Sequence, residues 1–470
     1  MSTQKSIHQK SIAEEIAEFA IGLSYEDIPE EVIKIAKLQI LDALGLGLLS
    51  NTTEIGRSVH RAVVGASAEL DSGGARTIGF GTRLPTASAA LINGILIWSV
   101  GFDGTYLPAG IHPCGGPLAA ALTVGEERGV DGRALLAAYI AAVEIACRLP
   151  GVGGSNFHVR GFHPTALVDT FASAAVASRL RGLDLSATVS SLGLCGSQAA
   201  GSMEVMGSWQ LWFHVGWAVH AGLMAASVAA QGFTGSPKIF EGPMGFYKSH
   251  MGCIPTREEL FLHTLGDQYL TAYVTLKPYP SCQVVQSFTD AAFALRDDGI
   301  DWREIEHVEY LVSPQVFPLV IDPPGLHEFP LRREDAGISI PYAVAGVMIK
   351  GRADFAYYFE DPLDDPDIMS FVKRFDHGTD SDSDFPKHFP GELRVTLRDG
   401  RSVVKRVVAS KGSPEWPMTP SEVEAKFMSH AERVMSEQRA RHLADIVYNL
   451  ESLDDVAKLL DATKTEEVSR

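Results

Sequence analysis

The succession of apolar helical segments before residue 270 constrains the fold of this chain more than any other feature. Ser11 is a predicted N-cap, after which Ile12, Ile16 and Phe19 recur at helical spacing. Later segments are rich in alanine, glycine and serine, whose small side chains let helices approach closely. Alternating apolar and polar residues are too rare in this half to predict a sheet. The pattern predicts helices over residues 85–99, 117–128, 134–148, 165–181 and 218–231.

The character of the chain changes near residue 270, where helical and strand-like segments begin to alternate. Residues 307–312 alternate as a strand. The runs 393–397 and 402–408 flank Arg398-Asp399-Gly400, which is typical of a β-hairpin. Residues 287–295 and 339–350 read as helices, so this part of the chain is predicted to be an α+β module.

These patterns together predict a mainly α protein. The larger part is a discontinuous all-helical domain, residues 1–271 and 409–470. A smaller α+β lid domain, residues 272–408, is inserted before the last helices. Within it, residues 361–390 are acidic and contain prolines, which predicts a surface excursion.

The net charge indicates which classes of partner to expect, and the cysteine content indicates the cellular compartment. The formal net charge of −18 repels phosphate backbones and anionic lipid, so we expect neither nucleic acid nor a membrane as a partner. Five scattered cysteines without CxxC spacing predict reduced thiols in a cytoplasm. No zinc or iron–sulfur spacing, dinucleotide-binding loop, P-loop or HExxH motif is present, and the N-terminus has no apolar signal core.

The segment GFDGTYLPAGIHPCG, residues 101–115, interrupts the helical pattern with ionisable residues. Burying an ionisable group without partners costs several kcal/mol, so packing alone does not explain Asp103 and His112 in this segment. The segment is therefore predicted to line a cavity in which proton chemistry takes place. Asp103 and Thr105 could hold a histidine tautomer or bind a substrate oxygen, or they could merely cap a turn.

Other histidines and one lysine have similarly suggestive contexts. His163 precedes a proline at the start of an apolar helix, as His112 does, and helix N-termini suit carboxylates. His214 and His220 lie six residues apart, a spacing that would not place them on one helix face. Lys277 lies where the two parts of the chain meet. Each histidine could instead be a buried residue whose ring is hydrogen-bonded by backbone groups, and Lys277 could be an exposed lysine in a linker. Cys282 is better explained as an inert buried thiol than as a nucleophile.

Several ordered blocks resemble the MmgE/PrpD family, which includes 2-methylcitrate dehydratase, cis-aconitate decarboxylase and iminodisuccinate epimerase. The resemblance runs over nearly the whole chain. The blocks are LQILDALGLGLLSN, GFDGTYLPAGIHPCGGPLAAAL, GFHPTALVDTFASAAVASRLRGL, FHVGWAVHAGLMAASVAAQGFTGSPKIFEGPMGF, LKPYPSC and SIPYAVAGVMIKGR.

The resemblance implies a helical domain and an α+β lid with a metal-free, cofactor-free site between them, usually in a homodimer. It implies a small carboxylate as substrate and proton abstraction next to a carboxylate. By position, the implied catalytic residues are His112, His163, Lys277 and Asp103. It also implies that Thr105, His214 and His220 line the same site. We further predict that Trp212, Arg160, Cys282 and Tyr342 bind substrate.

The chain also departs from the family pattern. Gly104 stands where the family often has a second acid, and Leu107 stands near the position of a second histidine. Many relatives have Lys or Arg where Leu211 and Trp212 stand. A carboxylate left unpaired in a dry site is costly. We therefore expect a less anionic or more apolar substrate than 2-methylcitrate, unless Arg160 and Arg179 compensate.

Three functions remain open from the sequence. The first is a lyase that removes water from a small hydroxy acid, as a 2-methylcitrate dehydratase does. The second is a decarboxylase or an epimerase on the same scaffold, which differs in the group that is lost. The third is a non-catalytic helical binding module, in which substitution of His112 or His163 would leave ligand binding intact.

Overall fold

The structure is a computed structural model that describes residues 10–151, 155–205, 208–321, 330 and 332–466. Residues 152–154 of the glycine-rich segment and the N-terminal residues 1–9 lie outside this description. The described chain is mainly helical with small sheets, which confirms the predicted class. Ser11 caps the first helix through a capping box with Glu14.

In chain order, the α-helices of the described residues are α1 Ile12–Gly22, α2 Glu30–Ser50, α3 Glu54–Ala66, α4 Thr86–Trp98, α5 Gly115–Arg128, α6 Gly132–Arg148, α7 Ser155–Val159, α8 Pro164–Leu180, α9 Leu185–Cys195, α10 Gln210–Ala229, α11 Gln283–Asp297, α12 Phe317–Val320, α13 Arg333–Ala336, α14 Ile340–Ala345, α15 Phe355–Phe359, α16 Pro366–Val372, α17 Pro420–Ala431, α18 Glu437–Tyr448 and α19 Val456–Ala462. The strands are β1 Ala75–Arg76, β2 Arg83–Leu84, β3 Ile305–Val312, β4 Phe375–Thr379, β5 Gly391–Leu397 and β6 Ser402–Val407.

The chain divides into two compact units. Unit one contains the described residues of Met1–Ser99, Ala109–Ala272 and Glu424–Arg470, and unit two contains those of Val100–Pro108 and Tyr273–Val423. The short segment Val100–Pro108 thus groups with unit two although α4 and α5 flank it in the sequence. The role of a lid for the α+β part stays a prediction.

Unit one is built around α8, which packs against α5, α6, α9 and α10. Glycines permit the closest of these approaches. A Cβ on Gly222 of α10 would lie 2.4 Å from the carbonyl oxygen of Thr170 on α8, and one on Gly216 would lie 2.4 Å from that of Leu91 on α4. These approaches bring the start of α8 and the first turns of α10 together, where His163 and His214 lie.

The expectation that unit one is all-helical is wrong at one point. β1 and β2 pair as a two-residue antiparallel ladder, Ala75 with Leu84 and Arg76 with Arg83. Strands of two residues carry too little alternation to be recognised in a sequence.

In unit two, a four-stranded sheet has the order β4-β3-β5-β6. β5 and β6 form the predicted hairpin, and β3 pairs with β5 antiparallel and with β4 parallel. The prediction of a surface excursion over 361–390 is wrong where α16 and β4 form. β4 was missed because its sequence FDHGT shows little apolar alternation. The buried core of this unit includes Phe288 on α11 and Val308 on β3.

Among the described helices, α10 alone is long and apolar enough to span a membrane. It packs against α8 and α4, and a little over half of its most apolar window is buried. The core helix of a globular protein passes the same test, so α10 is weak support for a membrane span.

Candidate active site

Two histidines from different helices meet in unit one. His163 is the N-cap residue of α8, directly before Pro164, and its side chain makes no capping hydrogen bond. Its Nδ1 lies 3.2 Å from Nδ1 of His214, on the first turns of α10. In a hydrogen bond between these atoms one nitrogen donates and the other accepts. The accepting imidazole must be neutral, so the pair cannot hold two protonated rings and keep this contact.

Gly201 makes room for this pair. Its carbonyl oxygen accepts a hydrogen bond from the backbone N–H of His163 at 2.9 Å. A Cβ at this position would lie 2.8 Å from the Cβ of Ala166 and 3.5 Å from Nδ1 of His214. Its φ of +151° is also one that a residue with a side chain rarely adopts. A glycine is therefore required beside the histidine pair.

The indole of Trp98, the last residue of α4, is the shared wall of the site. It is 3% exposed. Its ring centroid lies 5.1 Å from that of His163, nearly parallel to it, and 5.6 Å from that of His112. The indole of Trp212 meets it edge-on at 5.3 Å. One buried aromatic ring thus contacts two predicted catalytic histidines and one predicted substrate-binding residue.

His112 and His158 complete the group. The backbone N–H of His112 donates to the hydroxyl of Thr165, in the first turn of α8, at 3.1 Å. His158 lies on α7, and a Cβ on Gly110 would be 3.4 Å from its ring. We call His112, His158, His163 and His214, with Trp98, the histidine cluster.

Three histidines of the cluster, His163, His214 and His158, have a lowered pKa, which favours their neutral form. Burial lowers the pKa of His163 well below that of an ordinary histidine, and His214, His112 and His158 lower it further. Burial also lowers the pKa of His214. Partial burial lowers the pKa of His158, with a smaller contribution from His112. In the described part of the chain, each charge that acts on the pKa of His163 comes from another histidine.

Two predicted substrate-binding residues of unit one lie apart from the cluster. Nδ1 of His220 lies 3.0 Å from the carbonyl oxygen of Ala87, and its ring stacks on Trp217. This placement agrees with the six-residue spacing of His214 and His220, which predicts different helix faces. Arg160 is exposed and donates to the carbonyl oxygen of Ser249 at 3.2 Å. Neither residue has a described contact with the histidine cluster.

Unit two brings together the other predicted catalytic residues. Thr105 and Thr275 exchange backbone hydrogen bonds of 2.8 Å, which lays the segment Val100–Pro108 beside the segment that leads to Lys277. Lys277 is 1% exposed, and its Nζ donates to the carbonyl oxygen of Gly101 at 3.2 Å. The alternative of an exposed linker lysine is therefore wrong. Asp103, likewise 1% exposed, lies in the same short segment.

The remaining two predicted contacts, Cys282 and Tyr342, are placed within unit two. Cys282 is the N-cap residue of α11, and burial raises the pKa of its thiol. Tyr342 is fully buried, donates its hydroxyl to the carbonyl oxygen of Tyr357 and stacks on that ring at 4.6 Å. These contacts place Tyr342 in the core of unit two and give no support to a role in binding substrate.

Three residues of the site were missed in the sequence. Trp98 ends a continuous apolar run, so it looked like core. His158 stands beside a glycine-rich stretch with no pattern around it. Gly201 becomes informative only when α8 and α10 are packed together. A signal was present for His158 alone, since it lies only five residues before His163.

Replacing Gly201 with alanine tests the close packing of the histidine pair. Left-handed strain costs about 1 kcal/mol and overpacking a further ~1–3, so the free energy of unfolding should fall by about 2–4 kcal/mol. Denaturant unfolding measures this. Gly182→Ala is the matched control, because Gly182 also has a positive φ but open space around it. Equal losses in the two variants would show that close packing beside the pair does not require a glycine.

The arrangement is suited to proton transfer. A neutral imidazole accepts a proton from a C–H next to a carboxylate, and once protonated it can donate to a carbanion. Among the described residues, no group of three or more His, Cys, Asp or Glu side chains could hold a metal ion.

Relatives named as cis-aconitate decarboxylases or as decarboxylase-like match nearly the whole length of the chain. It is 27% identical to human cis-aconitate decarboxylase, over 97% of this chain and 95% of the relative. It is 25% identical to cis-aconitate decarboxylase of Aspergillus terreus, over 96% of each chain. It is 24% identical to the cis-aconitate decarboxylase-like protein oryM of Aspergillus oryzae, over 98% of each chain.

Two family models cover most of the sequence. The MmgE/PrpD N-terminal domain matches residues 14–257, which include all four histidines of the cluster. The MmgE/PrpD C-terminal domain matches residues 279–452. Since the two matches span well over half of the sequence, this chain belongs to the MmgE/PrpD family.

Proposed function

We propose that this protein is a carboxy-lyase that releases CO2 from a small unsaturated carboxylic acid without a metal or cofactor. The observation that carries the proposal is the contact between the buried histidines His163 and His214 beside the indole of Trp98. The similarity to cis-aconitate decarboxylases over nearly the full length of each chain supports it. Decarboxylation, the second of the functions that the sequence leaves open, is thereby favoured over dehydration.

The histidine cluster could supply the proton that decarboxylation consumes. The bond between a carbon and its carboxylate breaks, CO2 leaves, and the electron pair moves into the adjacent C=C system. A proton then adds to the resulting carbanion, so one acid is needed in each turnover. A bound carboxylate beside His163 would favour imidazolium and so raise the pKa of that ring. Binding itself would then convert a neutral imidazole into the required acid.

The apolar surroundings of the histidine cluster also favour the loss of CO2. A carboxylate is stabilised by water, whereas the charge of the departing electron pair is spread over several atoms. Moving the carboxylate against the buried indole of Trp98 removes water from it and favours the transition state.

We propose that the substrate is less anionic than cis-aconitate, which carries three carboxylates. Among the described residues, the groups that lower the pKa of His163 are other histidines, which carry no permanent charge, and Arg160 contacts Ser249. A carboxylate that is bound against His163 by residues of unit one alone must either stay unpaired or draw a proton onto a histidine. Trp212 and Leu211 stand where many relatives have Lys or Arg, which supports the same proposal.

We assign supporting roles to the residues of unit two. Lys277 is a buried cationic side chain on the segment that pairs with Thr105, and its Nζ donates to the carbonyl oxygen of Gly101. We propose that it binds a carboxylate of the substrate, and that Asp103 and Thr105 act in the same reaction. The homodimer, the cytoplasmic location and the absence of a cofactor stay predictions.

Dehydration is the second candidate, favoured by the low pKa of His163. A neutral imidazole is ready to act as a base, which dehydration requires first, whereas decarboxylation requires an acid. The same base would remove a proton next to a carboxylate of a hydroxy acid, and water would leave.

A product assay on the intact protein separates these functions. The protein is treated with a chelator and incubated with cis-aconitate, its three monomethyl esters and 2-methylcitrate, and products are identified by mass spectrometry with CO2 detection. We expect loss of CO2 from an unsaturated acid. Loss of water from 2-methylcitrate alone would contradict decarboxylation in favour of the second candidate. Unchanged masses for all five acids would contradict both.

A further inference from the structure

The indole nitrogen of Trp212 is a buried hydrogen-bond donor that has no partner among the residues that the structure describes. Its Nε1 is out of contact with solvent and has no acceptor among the described residues. An unpaired buried N–H is costly, and native proteins satisfy nearly all such groups. Those that remain unsatisfied call for a ligand or a functional reason.

The position of Trp212 gives that reason. It lies in the first turn of α10, two residues before His214, and its ring meets Trp98 edge-on at 5.3 Å. Trp98 in turn contacts His112 and His163. The unpaired N–H therefore belongs to a ring that packs on the wall shared with two proposed catalytic histidines.

The chemistry of the indole restricts what this donor recognises. Indole N–H donates one hydrogen bond, accepts none and carries no charge. It can donate to an ester, amide, ketone or hydroxyl oxygen. It can also donate to a carboxylate, but it supplies no positive charge, so a carboxylate held there away from water would lack a cation, which is costly. The rest of the ring is an apolar surface that suits an alkyl or ester group.

We propose that Trp212 is a specificity-determining residue whose Nε1–H donates to an uncharged oxygen of the substrate. The substrate is then an unsaturated acid with an ester, amide or similar neutral group in place of one carboxylate. This inference rests on the proposed function, because it takes the histidine cluster as the active site. It adds the class of substrate that this site binds.

Binding of unreactive analogues tests the inference separately from turnover. Propane-1,2,3-tricarboxylate and its monomethyl esters are saturated, so they can occupy the site without losing CO2. Isothermal titration calorimetry at neutral pH compares the intact protein with Trp212→Phe, which keeps an aromatic ring and removes the N–H. Trp217→Phe is the matched control on the same helix, since Trp217 is 42% exposed and stacks on His220.

We expect the unsubstituted protein to bind one monomethyl ester more tightly than the tricarboxylate. Trp212→Phe should weaken binding of that ester about fivefold, which is what loss of one neutral hydrogen bond implies, and leave the tricarboxylate unchanged. Trp217→Phe should change neither affinity.

Three outcomes would overturn the inference. In the first, Trp212→Phe and the unsubstituted protein bind the ester equally tightly. In the second, Trp212→Phe weakens binding of the ester and binding of the tricarboxylate by the same factor. In the third, the unsubstituted protein binds no ester. A preference for the ester that depends on Trp212, in a protein that releases no CO2, would uphold the recognition of a neutral oxygen and contradict the proposed function alone.

Discussion

Replacing His163 with asparagine is expected to lower the rate of CO2 release about 10²–10⁴-fold, the usual contribution of a positioned acid or base. The ring of His163 stacks on Trp98, and its Nδ1 contacts Nδ1 of His214. Asparagine keeps a polar atom near the position of Nδ1 and cannot exchange a proton at neutral pH. Steady-state kinetics on the acid identified by the product assay measures the loss.

The control for this variant is another partly buried histidine of unit one. His60 lies 2.8 Å from the hydroxyl of Thr82 and stacks on Phe80 at 3.9 Å. His60→Asn should leave the rate unchanged, and thermal unfolding of both variants shows whether each is folded. A folded His163→Asn protein with a rate within about threefold of the His60→Asn protein would rule out proton transfer by His163.

The second large effect is expected for Arg148, which forms a buried ion pair with Glu144 on α6. Both side chains are 1% exposed, with Nη2 and Oε2 3.1 Å apart. Glu144 also accepts hydrogen bonds from the backbone N–H groups of Leu270 and Thr271. Replacing Arg148 with methionine leaves the carboxylate buried without its cation, so the free energy of unfolding should fall by about 3–5 kcal/mol.

A chemically identical pair on the surface provides the control. Glu437 and Arg441 are also four residues apart on a helix, 2.7 Å from each other, but more than half exposed. Arg441→Met should cost less than about 1 kcal/mol, because water screens the pair. Denaturant unfolding measures the free energy of unfolding of both variants. Similar losses would show that burial does not set the strength of the Glu144–Arg148 pair.

The helical part of the fold was readable in the sequence because its apolar residues keep a helical period. α4, α5, α6 and α8 form within a few residues of their predicted bounds. The start of α10 was placed eight residues too late, at 218 rather than Gln210, because its aromatic first turns blur the period. β4 was missed because pairing with β3, and not its own pattern, makes it a strand.

The candidate site could be predicted only in part from the sequence. His112 and His163 stand out because an ionisable residue before a proline interrupts an apolar pattern. The contact of His163 with His214 joins residues 51 positions apart and depends on the packing of α8 against α10. No pattern within a short segment of the sequence predicts such a contact. The same packing makes Gly201 necessary and turns Trp98 from an ordinary core residue into the wall of the site.

A structure of the His163→Asn protein with the acid that releases CO2 tests the central claim most directly. If the histidine cluster is the site of proton transfer, the acid will lie against Trp98, with an oxygen or the reacting carbon within about 3.5 Å of the side chains at positions 112 and 163. An acid bound away from Trp98 and both of these positions would contradict proton transfer by the cluster.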